Sequence, residues 1–390
     1  MKFAALVAVY ATLIEVVNCH QGQSPLSKEP IGDEGKPTLE QLWGQEWPFT
    51  GIPTFAHLNT TKCLLSPDSE YDIGIIGVPF DTATSYRPGA RFGPQAIRLA
   101  SQRQNSMRGF NTRAGINPYQ NWATLIDCGD IPVTPMDNKV ALDQMTAAFE
   151  ELLLRRNSSL ENAHPPRYVA LGGDHSIILP HLRALHEVYG KIAVIHFDAH
   201  LDTWAPTKYP SFWSSEQSKF THGSMLWMAK QEGILSDDFN VHIGIRTRIS
   251  GVNWEDFDED DDQGWLRFSA DDVWVGGKQS LDQIVATIKK RIPAHYPVYI
   301  SVDVDCMDPG FTPGTGTIEP GGMMPREVIY LLRHLDLDLV GADVVEVAPA
   351  YDQAEITATN AAQVVFELVT SMVKRGKPLP VSDDSVTFSL

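Results

Sequence analysis

The chain is poor in cysteine, poor in basic charge and short of long apolar runs, and each shortage removes a class of protein. Four cysteines, Cys19, Cys63, Cys128 and Cys306, occur in 390 residues. None is spaced as CxxC, which excludes zinc-finger and thioredoxin-type motifs. They leave room for one disulfide, with Cys63 and Cys128 the pair to consider, or for scattered buried thiols. Lys and Arg number 31 against 49 Asp and Glu, a formal net charge of −18. General nucleic-acid binding needs basic patches and is excluded. The excess of carboxylates instead draws cations toward the surface. Beyond the N-terminal run no stretch reads as long and apolar enough for a transmembrane helix. No tandem repeat occurs. The acidic run EDFDEDDD (255–262) lacks the EF-hand pattern and reads as a solvated loop.

What is present begins with Lys2 and the apolar run FAALVAVYATLIEVV, Phe3–Val17, ahead of polar residues. A basic start and an apolar run are the pattern of a signal peptide, here over 1–20. That places the protein in the secretory pathway, or in the cytoplasm if the leader does not act. Glu15 inside the run is the feature an ordinary helix would explain. Sequons at Asn59 and Asn157 accord with the secretory route. Residues 21–70, rich in Gly, Pro, Ser and charge, read as an exposed arm. A catalytic domain over 71–380 and a loose tail over 381–390 complete the division.

From Tyr71 the texture changes. Apolar runs of strand length recur at 72–80, 122–130, 167–174, 191–198, 239–246, 297–305 and 339–349, with helix-like segments such as 140–156 and 280–292 between them. Strands alternating with helices predict an α/β fold with a parallel sheet covered on both faces.

The ends of these runs carry the chemistry. IHFDAHLDTW (195–204) sets Asp198, His200 and Asp202 at every second position, the period of an extended strand, so all three should leave one face. The preceding KIAVIHF reads as a strand buried on both faces. RYVALGGD leads into His175, PVYISV into Asp303 and Asp305, and LVGADVV into Glu346. In a parallel sheet these ends share one edge, where ligand crevices form. Two imidazoles and four carboxylates are too many for one tetrahedral zinc. They suit two divalent ions bridged by carboxylates, which acidify water, and oxygen-rich ligation favours Mn²⁺. Gly172 and Gly173, beside His175, are expected to let the backbone pass close to the metals.

LGGDHSI (171–177), HFDAHLDTW (196–204) and SVDVDCMDPGFTPGTGTIEPGG (301–322) resemble the signature regions of the ureohydrolases, the binuclear manganese enzymes that include arginase, agmatinase and guanidinobutyrase. SYRPGARFGPQAIR (85–98) and DVVEVAPAYD (343–352) extend the resemblance from about Tyr71 to about Lys374. It implies an arginase-type three-layer αβα sandwich with a central parallel sheet. It implies two Mn²⁺ per chain, one held by His175, Asp198, Asp202 and Asp303, the other by Asp198, His200, Asp303 and Asp305. The implied reaction hydrolyses the guanidino group of a linear guanidino compound to urea and an amine. Glu346 is the candidate to hold the guanidinium, because a carboxylate matches a planar fork of N–H donors. His222, in THGSM, is the candidate proton shuttle. His20, His57, His164, His181, His186, His242, His295 and His334 have no motif around them and read as structural or solvated. Ile318 stands where family members commonly have Pro, close to the substrate loop.

The partner expected is a small guanidino substrate, with no nucleic acid, no membrane in the mature form, and a homo-oligomer by resemblance. The loop Thr203–Thr221, with Tyr209, Phe212, Trp213 and Phe220, is expected to roof the cleft with aromatic rings and favour a cation. Agmatine therefore ranks first. 4-Guanidinobutyrate follows, with Lys208 or Lys219 to meet its carboxylate, and L-arginine is third. The rivals are a zinc deacetylase of the related fold, which needs one metal, and a non-catalytic binding protein.

Overall fold

The computed structural model describes residues 38–44, 47–154, 165–208, 213–273 and 279–376. The signal-peptide segment, Asn157, Tyr209, Phe212 and the tail lie outside them. The chain divides into Met1–Gly51 and Ile52–Leu390. The first unit contains helix α1, Leu39–Trp43, which Thr38 and Gln41 open by reciprocal side-chain bonds.

In the second unit each apolar run noted above becomes a strand: β1 Ile73–Val78, β2 Leu125–Asp130, β3 Arg167–Gly172, β4 Ala193–Phe197, β5 Asn240–Ile245, β7 Val298–Asp303 and β8 Leu339–Val345. An additional strand, β6 Trp265–Ser269, lies at the sheet edge. Its sequence, WLRFS, is short and carries Arg267 in its middle, so periodicity alone does not mark it. The order is β2-β1-β3-β8-β7-β4-β5-β6, and every pairing is parallel.

Successive strand residues point to opposite faces, and both faces are covered. Ile75, Val169 and Leu171 pack on one side with helices α2 Gly93–Ala100, α8 Leu281–Arg291, α9 Pro325–Leu335 and α10 Ile356–Arg375. Ile76, Tyr168 and Ala170 pack on the other with α3 Asn138–Leu153, α4 Ile178–Tyr189 and α5 Met225–Gln231. This is the three-layer αβα sandwich. It explains why the strands read as unbroken apolar runs rather than alternating ones. Each buried Val, Leu or Ile contributes about 1.5–3 kcal/mol relative to leaving it exposed.

Three expectations change. Residues 52–70 pack with the second unit: Phe55, Ala56 and Cys63 are buried, Thr60 pairs with Asp127 beside β2, and Cys63 forms a disulfide with Cys128 of β2. The acidic run is no solvated loop. It forms helix α6, Glu255–Asp262, with Asp256 and Asp260 buried, and a short helix α7, Ala270–Val273, follows β6. Helix α10 is long and apolar enough by composition to cross a membrane, yet two thirds of its apolar window is buried against the sheet and α9. It is a core helix.

Candidate metal centre and active site

Strand order brings the site together. The four strands that end in the candidate residues, β3, β8, β7 and β4, are consecutive in the sheet. Leu171, Val344, Val302 and Phe197 lie in one register row across them. One to four residues beyond that row come His175, Glu346, Asp303 and Asp198. β4 stops at Phe197, so Asp198, His200 and Asp202 do not alternate on a strand as expected. They sit in the turn beyond it, and Asp202 takes a left-handed φ of 57°. The two glycines also act differently from expectation. A Cβ at Gly173 would stand 2.3 Å from the Phe80 carbonyl and 2.6 Å from that of Val78, and one at Gly172 would meet Val345. They admit neighbouring chain, not metal.

The six expected ligands converge and are buried, His200 partly so. His175 Nδ1 lies 3.0 Å from Asp198 Oδ2, 3.2 Å from Asp202 Oδ2 and 3.4 Å from Asp303 Oδ2. His200 Nδ1 lies 3.2 Å from Asp198 Oδ1 and 3.0 Å from Asp305 Oδ2. Backbone amides preset three of the carboxylates. Asp198 Oδ1 accepts from the His200 amide, Asp303 Oδ1 from that of Asp305, and Asp305 Oδ1 from that of Ala199. The ring of His175 is fixed from behind. Its Nε2 meets the Ser301 hydroxyl at 2.7 Å, and that hydroxyl donates to Asp343 at 2.6 Å. Ser301 must therefore accept from Nε2–H, which leaves the Nδ1 lone pair facing the carboxylates.

This donor set fits divalent ions. His175 Nδ1 and Asp198 Oδ2 are buried with no hydrogen-bond partner, although they lie 3.0 Å apart. Orphaned buried atoms of this kind are costly unless something binds them. The electrostatics agree. Burial, then Asp305 and Asp198, push the Asp303 carboxyl well above its ordinary value, and burial with Asp198 raises Asp305 to about 6. Burial lowers His175, but Asp198, Asp202 and Asp303 outweigh it and hold the ring well above its ordinary value. A cation among these groups displaces such protons and supplies the missing charge.

Glu346 and His222 form the second part of the site. Glu346 adopts a left-handed φ of 63°, a strained conformation for a residue with a Cβ. Its Oε1 accepts from the His175 amide and from His222 Nδ1, both at 3.0 Å. On the other edge of the His222 ring, Nε2 lies 2.9 Å from the Ser85 amide and 2.8 Å from the Ser85 hydroxyl. An amide only donates, so in this arrangement Nε2 is unprotonated and Nδ1 holds the proton. Burial lowers the His222 pKa, but Glu346 raises it to about 9. Taking up a second proton therefore requires the Ser85 amide contact to open.

The sequence reading passed over His196, Ser301 and Ser85. His196 is fully buried, its Nε2 lies 3.2 Å from Asp198 Oδ2, and it joins His175, Asp198 and Asp202 in one group of metal-type donors. The signal for it was present: His196 precedes Asp198 by two. Of the aromatic rings expected in the roof, Phe220 and Trp213 are among the described residues. Phe220 is buried against Phe80, while Trp213 is 84% exposed. Lys208 is engaged by Glu259 at 2.9 Å and Asp256 at 3.3 Å, and Lys219 by Glu216 at 2.7 Å.

A parallel α/β sheet with a buried carboxylate–imidazole cluster at its carboxyl edge, and a glutamate–histidine pair beside it, defines a metal-binding hydrolase. The sequence model of the Arginase family matches residues 71–370, and the chain belongs to that family of hydrolases acting on guanidino C–N bonds. A Schizosaccharomyces pombe (strain 972 / ATCC 24843) protein is 48% identical over 337 residues, 84% of this chain and 81% of its own. Agmatinase from Escherichia coli O1:K1 / APEC is 40% identical over 308 residues, 77% of this chain and 88% of its own. The solved structure of proclavaminate amidino hydrolase from Streptomyces clavuligerus superposes with a TM-score of 0.72 at 34% identity, covering 85% of this chain and 100% of that one.

Proposed function

We propose that this chain hydrolyses agmatine to putrescine and urea, with two Mn²⁺ held by His175, Asp198, His200, Asp202, Asp303 and Asp305. The observation that carries the choice of substrate is Glu319. Its Oε1 lies 3.8 Å from His200 Nε2, while Lys208 and Lys219 are engaged by carboxylates. A distal ammonium finds a counter-charge there and a distal carboxylate meets repulsion. Similarity to the Escherichia coli agmatinase supports the same substrate. Oxygen-rich ligation with two imidazoles supports Mn²⁺.

Divalent ions at this cluster would acidify water and so supply the nucleophile that a resonance-stabilised guanidinium carbon demands. The protein's own groups do the rest. Glu346 Oε1 is committed to His175 and His222, so Oε2 is the oxygen that meets the guanidinium N–H groups. Water adds to the guanidinium carbon and the bond from that carbon to the substituted nitrogen breaks. Once the Ser85 amide contact opens, His222 Nε2 takes a proton from solvent beside the exposed Ser85 and passes it to the leaving nitrogen, after which Nε2 is again free to accept from the Ser85 amide. The products are the amine and urea.

A second reading, 4-guanidinobutyrate, has one observation in its favour: Arg248 is 91% exposed and lies 3.8 Å from Glu319. The test is kcat/KM for agmatine, 4-guanidinobutyrate and L-arginine under one set of conditions with Mn²⁺, repeated with Arg248→Ala. Agmatine is expected to lead by at least tenfold, about 1.4 kcal/mol, and Arg248→Ala is expected to leave that rate within twofold. A lead for 4-guanidinobutyrate that Arg248→Ala removes would reverse the ranking. Secretion is part of the proposal. The Cys63–Cys128 disulfide supports it, since such bonds persist in oxidising compartments. Homo-oligomerisation, proposed by family resemblance, is read directly by light scattering.

A further inference from the structure

We propose that Arg87 is a positioning residue for guanidinium binding, holding the loop Thr315–Thr317 against Glu346 at the spacing a flat guanidinium needs. The proposal rests on the reading above that Glu346 Oε2 is the oxygen that meets the guanidinium.

Gly314, Thr315 and Gly316 are buried. Buried carbonyls need donors, and the half-buried side chain of Arg87 supplies them. Its Nε donates to the Gly316 carbonyl at 3.0 Å and its Nη2 to that of Thr315 at 3.3 Å. A guanidinium fork suits two neighbouring carbonyls, where a lysine would offer a single nitrogen. The ends of the loop are fixed elsewhere. The Ala348 amide donates to the Gly314 carbonyl at 2.7 Å, and the Thr317 hydroxyl to Asp305 Oδ2 at 3.2 Å. Between these ends Arg87 sets the path of the chain.

Gly316 brings that path to the substrate oxygen. A Cβ there would stand 3.8 Å from Glu346 Oε2 and 2.6 Å from the Arg87 carbonyl. The bare backbone at 316 lets the Arg87 chain lie against the loop and keeps the space beside Oε2 clear. Arg87 also braces the far side of the glutamate. Its guanidinium carbon lies 4.6 Å from the centre of the Tyr351 ring, and the Tyr351 hydroxyl donates to the Pro88 carbonyl at 2.8 Å. Ser85, in the same segment, contacts His222 Nε2. The segment is anchored from behind by buried Asp81, whose Oδ2 accepts from the Gly89 amide at 2.7 Å. One side chain therefore joins the chain that carries Ser85, the loop beside Oε2 and the turn that follows Glu346. An arginine that only added stability could bond any carbonyl. Both partners of this one lie in the loop that borders the guanidinium oxygen.

The test uses the full chain loaded with Mn²⁺ and two probes, agmatine for turnover and methylguanidine for binding by calorimetry. Arg87→Met keeps the length of the side chain and removes the donors. It is expected to raise the agmatine KM and the methylguanidine Kd together by about 10–100-fold, the usual cost of a small misplacement, with kcat within about threefold of the wild type. Arg87→Lys keeps a cation over Tyr351 and is expected to recover part of the binding. Mn²⁺ affinity, measured by competition with a fluorescent chelator, is expected to be unchanged. A stability role alone would lower the urea midpoint and move neither KM nor Kd. Arg87→Met with wild-type KM and Kd overturns the proposal. So does a loss of Mn²⁺ affinity in step with the loss of binding, which would place the effect at Asp305. Should Arg87→Met fail to fold, Gly316→Ala decides, since its Cβ would stand beside Oε2; an unchanged methylguanidine Kd there overturns the placement of the loop. A wild type that binds methylguanidine but releases no urea from agmatine overturns the proposed function and leaves the Kd comparison to decide this proposal. A wild type that does not bind methylguanidine overturns the reading of Glu346 beneath it.

Discussion

Asp303 is the residue on which the site turns. It is the last residue of β7, its Oδ1 is held by the Asp305 amide and its Oδ2 faces His175. Asp303→Ala is expected to lower kcat/KM by at least about 1000-fold, roughly 4 kcal/mol of transition-state stabilisation, with circular dichroism unchanged and bound metal reduced. Near-normal turnover with full metal content would refute its placement in the centre. Asp260 yields a pH prediction. Burial raises its carboxyl, but His242, Thr203 and Arg267 outweigh burial and hold it below its ordinary 3.8. A depressed folded value stabilises the fold above the unfolded value, and that stabilisation disappears as pH falls through the folded one. The stability gap between wild type and Asp260→Asn, taken from urea midpoints, is therefore expected to be widest above about pH 4 and to close below it. A gap that widens on acidification would contradict the arrangement.

Among the elements, the segment 52–70 and helix α6 are the two whose packing departs from the sequence reading. The first is tied to β2 by the Cys63–Cys128 bond, across a sequence separation of 65. Closing a loop of that length restricts the unfolded chain by up to about 4 kcal/mol on a chain-entropy estimate. The paired substitution Cys63→Ser, Cys128→Ser is expected to lower unfolding stability by about 2–4 kcal/mol with little change in kcat/KM, since neither residue touches the site. A loss too small to measure would show that the segment is held by packing alone. Helix α6 holds Thr203 and Trp204 through Asp260 and Asp256 and engages Lys208. Its acidic residues have two distinct roles, buried anchors at 256 and 260 and exposed partners at 255 and 259.

At the scale of the whole molecule, the charge of −18 favours a cationic substrate over an anionic one and is indifferent to the fold. The leader pattern makes a prediction of its own: N-terminal sequencing of protein from its native source is expected to begin close to residue 20. Mature protein that begins at Met1 would exclude processing and with it the secretory route.

Much of this could be read from the chain because it is written locally. Strands buried on both faces must be apolar at every position, so 73–78 and 298–303 announce themselves, and metal chemistry needs particular side chains, so 171–177, 196–204 and 301–322 mark their ends. What is not local was not legible. EDFDEDDD looks solvated until α6 is laid against β5 and β6, when Asp256 and Asp260 turn inward to Trp204, Thr203, His242 and Arg267. His196 and His242 are 46 residues apart, and only the β4–β5 register makes them partners. The disulfide was one of two open alternatives until the chain at 63 was packed beside β2. The amino-acid sequence alone determined the alternation of elements and the kind of chemistry, because periodicity and ligand type are properties of neighbouring residues. Which distant residues face one another was decided by strand order and register, which exist only once the sheet has formed.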